Sequence, residues 1–228
     1  MTLSWPEPLP AHGPVVLRPY RDSDLSLVAE LAADPYIPLI STVPQPFTDE
    51  AGLAFIARQH SRLTSGTGWS FVVADADDDR AVGSAGLWVR ELQAGRATAG
   101  YCVGPSARGT GVATAALTAL TAFAWTVPGL YRVELHIEGW NTASLHVAAR
   151  VGYLREGVLR SHQEIGGTRR DMVLCAAVRP PLPAEPVTAE PLTTEPLTAE
   201  PAAAQREAPD VPPPEVASPA HDSGTVAG

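Results

Sequence analysis

Residues 100–117, GYCVGPSARGTGVATAAL, hold the order of residue types most directly suited to chemistry. An apolar run ends at Val103 and a Gly-Pro-Ser loop follows. Arg108-Gly109-Thr110-Gly111-Val112-Ala113 then opens an apolar segment with helical spacing. The first four N–H groups of a helix have no internal partner, and the helix dipole adds partial positive charge at that end. Glycines let a diphosphate approach the main chain closely, and Arg108 adds a fixed positive charge at the mouth. The segment reads as an anion cradle suited to a pyrophosphate. Two common pyrophosphate patterns do not fit. The dinucleotide fingerprint G-x-G-x-x-G fails because Gly109-x-Gly111 is followed by Thr114, and the Gly-Lys-Ser/Thr loop fails because the sequence has no lysine.

The elements that must position this cradle follow from periodicity and punctuation. VVLRP at 15–19 reads as a first strand. Asp22 or Ser23 can cap a helix carrying Leu25, Val28, Leu31 and Ala32 on one face, and Pro35 ends it. Thr48 can cap a second helix, with Asp49 and Glu50 in its first turn and Leu53, Ile56 and Leu63 turned inward. Between them, 36–47 is a proline-punctuated loop of a length that is often functional. Strand-like runs at 69–74, 82–89 and 98–103 are separated by turn signals at Asp77-Asp78-Asp79 and Gln93-Ala94-Gly95. A long helix is predicted over 109–125, closed by Pro128 and Gly129. A strand over 131–137 and a helix over 141–150 come next, with Gly152 as a left-handed cap. Two last strands, 153–159 and 172–178, turn at Gly166-Gly167. The order β-α-α-β-β-β-α-β-α-β-β predicts an α/β fold with a mixed sheet and helices on its faces.

Composition sets the outer limits. All five Trp, five Tyr and four Phe lie in residues 1–179, so the folding part is about 180 residues, enough for one sizeable core. From Pro180 onward Pro, Ala, Thr and Glu dominate, and prolines recurring every five residues forbid helix and central strand. Residues 181–228 therefore read as a disordered acidic tail. The tail carries eight acidic residues against Arg206, which is −7 of the chain's net −9. The near-neutral remainder has no basic stripe, so nucleic acid is not an expected partner. Cys102 and Cys175 lie in apolar runs, and no His/Cys pair has zinc-ligand spacing, so no metal is expected. The N-terminus lacks the form of a signal peptide, and no run approaches the ~18 apolar residues of a membrane span. A cytoplasmic protein without a membrane partner is the expectation.

Arg108-x-x-Gly111-x-Ala113, placed between a strand and a helix, matches the acyl-CoA signature Arg/Gln-x-x-Gly-x-Gly/Ala of the GNAT superfamily. Further pieces fall in the family's order: VVLRPYRDSDL at 15–25, YRVELHIEGWN at 131–141, NTASLHVAARVGYLREGVLR at 141–160 and RRDMVLCAAV at 169–178. The chain resembles GNAT N-acetyltransferases over roughly 14–180, and within them the subfamily that acetylates ribosomal-protein N-termini. Residues 1–13 are then an N-terminal extension.

The resemblance implies a mostly antiparallel mixed sheet of six to seven strands with helices on both faces and splayed central strands. It implies acetyl-CoA as co-substrate, with its pyrophosphate on the main chain of Arg108, Gly109, Thr110, Gly111, Val112 and Ala113. Its pantetheine arm would lie beside Cys102, Val103 and Gly104, with an amide near Val103 polarising the thioester. Asn141 would contact the arm, and it also suits a helix N-cap. Ser144 matches a serine that can protonate the leaving thiolate. The tyrosine many GNAT enzymes use one turn later is Ala148 here, and the glutamate often preceding the Gly-Tyr of the strand is replaced at Thr98 and Ala99. Glu134 and His136, which alternate onto one strand face, and Glu91 are candidate bases. The other histidines, among them His162, form no motif and read as solvated surface. The implied reaction is direct acetyl transfer to a primary amine, either a protein N-terminus or a small molecule, by a monomer or homodimer. The alternative is a non-catalytic acyl-CoA-binding regulatory module.

Overall fold

The computed structural model describes residues 3–180, so the tail expected over 181–228 lies outside the described residues. Eight strands form one sheet: β1 (Ala11–His12), β2 (Val15–Arg18), β3 (Gly68–Asp75), β4 (Ala81–Trp88), β5 (Arg96–Val103), β6 (Arg132–Glu138), β7 (Leu154–Ile165) and β8 (Thr168–Val178). Five helices accompany them: α1 (Leu25–Ala33), α2 (Ile37–Ile40), α3 (Asp49–Thr64), α4 (Val112–Ala124) and α5 (Thr142–Arg150). The spatial order is β1-β2-β3-β4-β5-β6-β8-β7. Every neighbouring pair is antiparallel except β5 and β6.

The sheet exceeds the six to seven strands expected, because the N-terminal segment turns back at Gly13 and pairs Ala11 and His12 with Val16 and Val15. β3 shows why the central runs read as almost continuously apolar. Trp69, Phe71 and Val73 join the core beneath α4, while Val72 and Ala74 join a second core with residues of α1 and α3. A sheet covered on both faces leaves no solvent side to mark with polar residues.

Other boundaries moved for local reasons. The helix expected from residue 109 starts at Val112, since Gly109 and Gly111 hold φ of +79° and +86°. Residues Asp22–Asp24 form a single 3-10 turn, and α1 begins only at Leu25, so neither Asp22 nor Ser23 caps it. Thr48 does cap α3, its hydroxyl accepting from the Ala51 amide at 3.1 Å. The loop over 36–47 contains the short α2. The last two strands extend toward each other past their predicted bounds and meet at the Gly166-Gly167 turn, where Gly166 lies against Leu39 of α2.

One interruption of the sheet matters most. β5 and β6 pair only from Arg96↔Arg132 to Thr98↔Glu134, although β5 continues to Val103 and β6 to Glu138. The two strands therefore splay, and a gap opens through the middle of the sheet.

Candidate active site

The gap joins two concavities. On one side is a groove of about 570 Å³ between α2, the end of β5, the start of α4 and α5. On the other is a cavity of about 280 Å³ whose floor is the α3-facing surface of β3, β4 and β5, walled by β6, α2 and the β7–β8 hairpin. Tyr101, Asn141 and Ser144 border both.

The groove is built from main chain. Among the described residues, the amides of residues 109–114 find no hydrogen-bond acceptor, and the first closed turn is Ala115 N–H to Gly111 O at 3.1 Å. A Cβ on Gly109 or Gly111 would meet nothing within 4 Å, so both glycines face open space. Their positive φ, which costs other residues about 1–2 kcal/mol, is what turns the amides outward. The Thr110 hydroxyl donates to the Ala107 carbonyl at 2.7 Å and braces the turn. The other residues expected at this end, Arg108, Val112 and Ala113, line the groove together with Cys102, Val103 and Asn141.

Arg108, expected to add a fixed positive charge at the mouth, is already paired. Its guanidinium donates to Asp34 at 2.6 Å and to the Val103 carbonyl at 3.2 Å. Burial opposes the charge on Asp34, but the Ile37 and Tyr36 amides and Arg108 outweigh it and hold its carboxyl below the usual range. Arg108 thus ties the β5 end to the α1–α2 connection, and part of its charge is already matched. Arg150, at the end of α5, also borders the groove. No local motif distinguished it from other exposed arginines.

Strand alternation fixes where the β5 amides point. The Gly104 amide donates to the Val82 carbonyl on β4 at 2.9 Å. The amides of Val103 and Tyr101 therefore face the opposite way, into the gap. An extended ligand arm could pair with this open edge as a further strand would.

Ser144 sits in the first turn of α5, which Asn141 caps by accepting the Ser144 amide at 3.1 Å. The Ser144 hydroxyl also meets the Tyr101 hydroxyl at 3.1 Å. Burial pushes the Tyr101 phenol up against the opposing effect of that bond. Tyr101 falls within the strand-like run 98–103, and the sequence marks it no further. Nothing local in the sequence says that a phenol on β5 reaches the serine of a helix 43 positions later. Ala148 is fully buried, so the hydroxyl beside Ser144 comes from the strand instead.

On the cavity side, β6 presents His136 and Glu138. His136 is half-buried. Burial and the nearby His162, whose ring centroid lies 4.7 Å away, lower its pKa more than Glu134 raises it. His162 is thus exposed yet paired. Glu134 lies outside the cavity lining and accepts from Arg132 at 2.6 Å, within a cluster that also holds Glu156. Glu91 accepts from Arg96 at 2.9 Å at the far end of the hairpin. Glu138, missed from sequence, is 5 % exposed and accepts from Tyr36 at 2.6 Å. The two segments expected to shape this side, 36–47 and 160–170, both reach it, through Tyr36, Ile37, Ile40 and Ser41 and through Gln163 and Ile165. Burial pushes the Cys102 thiol up to about 11, which keeps it protonated at neutral pH and a poor nucleophile.

Among the described residues no helix is long and apolar enough to cross a membrane, and no group of three or more His, Cys, Asp or Glu side chains could hold a metal. Residues 15–154 match the family described as Acetyltransferase (GNAT) domain. A Bacillus licheniformis protein named Uncharacterized N-acetyltransferase p20 is 24% identical over 166 residues, 72% of this chain and 93% of its own. Among solved structures, Mycobacterium smegmatis RimJ in complex with CoA-disulfide is 25% identical, with a TM-score of 0.63 over 77% of this chain and 90% of that one. RimL, a ribosomal α-N-protein acetyltransferase in complex with coenzyme A, shares the fold at 17% identity, with a TM-score of 0.63 over 75% of this chain and 97% of that one.

Proposed function

The chain belongs to the Acetyltransferase (GNAT) family, and from that premise we propose that it moves an acetyl group from acetyl-CoA directly to a primary amine, both substrates being bound together across the gap between β5 and β6. The observation that carries the reading is the row of unpartnered amides over 109–114 beside the unpaired edge of β5. Donors of this kind suit a diphosphate. The outward amides of Tyr101 and Val103 suit an extended pantetheine arm. The Val103 amide would face the thioester oxygen, where negative charge develops during attack.

The two sides of the sheet divide the proton work. The amine enters from the cavity, where His136, kept neutral by burial, accepts the proton released as the C–N bond forms. The C–S bond breaks toward the groove, where the Ser144 hydroxyl protonates the leaving sulfur, and Tyr101 holds that hydroxyl in place and can return a proton to it. No covalent enzyme intermediate is needed, in keeping with the protonated Cys102. Relatives that act on ribosomal proteins support a protein N-terminus as one acceptor class, and the small volume of the cavity supports a small amine as the other. One chain supplies every residue invoked, so the reading needs no second copy. A cytoplasmic setting, supported by the free thiols of Cys102 and Cys175, belongs to the same reading.

The test is calorimetry with acetyl-CoA, followed by thiol release against a panel of amines. Binding and amine-dependent release of CoA are expected. Absence of heat at millimolar acetyl-CoA would remove the cradle and the enzyme reading together. Binding without release for any amine would instead favour a regulatory module.

A further inference from the structure

The floor of the small cavity carries a feature that acetyl transfer itself does not require. Ser70, Gly86 and Gly100 form one row across β3, β4 and β5. The benzo edge of the Trp88 indole lies against this row. A Cβ on Gly86 or on Gly100 would come within 2.9 Å of the indole, so both positions must be bare for it to lie there. Above the indole stands Arg62, from the last turn of α3, with its guanidinium carbon 5.6 Å from the ring centroid. One of its nitrogens donates to the Ser70 hydroxyl at 2.8 Å.

Arg62 has no carboxylate partner within 4 Å among the described residues. The charged groups acting on it from the packed elements are Arg58 on α3 and Arg90 beyond β4, both positive, and the neutral Tyr20 phenol. The contrast with Arg18 is direct. That arginine, 3 % exposed, is fully engaged by Asp24 at 2.9 Å and Asp79 at 2.6 Å. Withdrawing a charge from water without a counter-ion is unfavourable, and arginine stays charged regardless. Its remaining donors are not sealed in the core, since no buried side-chain nitrogen lacks a partner. They face the cavity. At the opposite end stand His136 and Glu138 on β6, three strand positions from Ser70 on β3 and beyond the gap.

The cavity is therefore bipolar, basic-accepting at the gap and cationic at the far end. We propose that Arg62, set on the Trp88 floor, is an anion subsite, and that the acceptor is a small primary amine bearing a carboxylate or phosphate at the end away from its amino group. This rests on the transferase reading and narrows its substrate class. Polyamines are disfavoured, because their second cation would meet Arg62. A cavity of about 280 Å³ suits a compact acceptor.

The experiment uses the full chain, with ω-amino carboxylates of increasing length, matched ω-aminoalkyl phosphates, neutral alkylamines of equal length, and spermidine. Acetylation is read as kcat/KM, and binding is read by calorimetry with CoA present. Anionic acceptors should exceed their neutral partners by ten-fold or more, and the carboxylate and phosphate arms identify the favoured anion. Arg62→Gln should bring that ratio close to one while the affinity for acetyl-CoA is kept, and Arg62→Lys should restore part of it. Equal use of anionic and neutral amines, preference for spermidine, or an unchanged ratio in Arg62→Gln would overturn the subsite. Failure to bind acetyl-CoA at all would instead remove the transferase reading. If Arg62→Gln does not fold, the wild-type binding comparison between anionic and neutral ligands decides alone.

Discussion

The groove and the cavity meet at the same gap but are made of different material. The groove offers backbone: amides turned outward by two left-handed glycines and an unpaired strand edge. The cavity offers side chains drawn from α2, α3, β6 and the β7–β8 hairpin, over a floor of small residues. A main-chain site reads the part of a ligand that never varies, because its donors depend on conformation more than on residue type. A side-chain site can be rebuilt one residue at a time. Under the proposed function, the difference teaches that the invariant half of the reaction is written in a contiguous segment, and the acceptor half in scattered positions.

Three experiments would break or sharpen this contrast, beginning with the largest effect. Gly111→Val forces a branched residue to φ +86° and should turn the amides away. With hydrogen bonds to charged groups worth about 1.5–3 kcal/mol each, acetyl-CoA affinity should fall about 100-fold by calorimetry. Thermal stability should drop only by the backbone strain, about 1–3 kcal/mol. Unchanged affinity would show that the groove does not work through its main chain.

Ser144→Ala should leave acetyl-CoA affinity nearly intact and lower kcat by about 100-fold, the low end of the range for loss of a general acid. Tyr101→Phe, which removes the partner at 3.1 Å, should lower kcat by about 5- to 10-fold. Rapid-quench measurement of the chemical step checks both. If Tyr101→Phe acts on KM alone, the phenol is not part of the proton path.

The smallest effect concerns pH. His136 must be neutral to accept a proton, and its pKa lies below the ordinary histidine value. Activity at saturating substrates should therefore hold down to pH about 6.5 and fall only below it, the acid side being the charged, inactive form. His136→Gln should erase that acid limb and lower kcat, with water left to take the proton. A profile with the same limb in the variant would assign the base elsewhere, and Glu138 is the next group in the lining.

Particular residues show what could be read along the chain. The cradle was legible because strand end, glycines and helix start are contiguous. Only the helix start was misplaced, by three residues, since positive φ at Gly109 and Gly111 delays it. Alternation on β6 correctly put Glu134 and His136 on one face. It could not tell that Arg132 engages the first while the second borders the cavity. Tyr101 beside Ser144, Tyr36 on Glu138 and Arg62 over Trp88 join residues from separate elements, and no periodicity records such pairs.

By itself, the sequence determined most of the element order, the two-faced sheet and the glycine-opened turn into α4, because each depends on dihedral preferences and spacing within one segment. Which hydroxyl meets Ser144, which histidine has its pKa lowered by burial, and where Arg62 is left without a counter-charge were decided only when distant strands and helices packed together. Side-chain chemistry at a site depends on distances and burial, and those exist only in three dimensions.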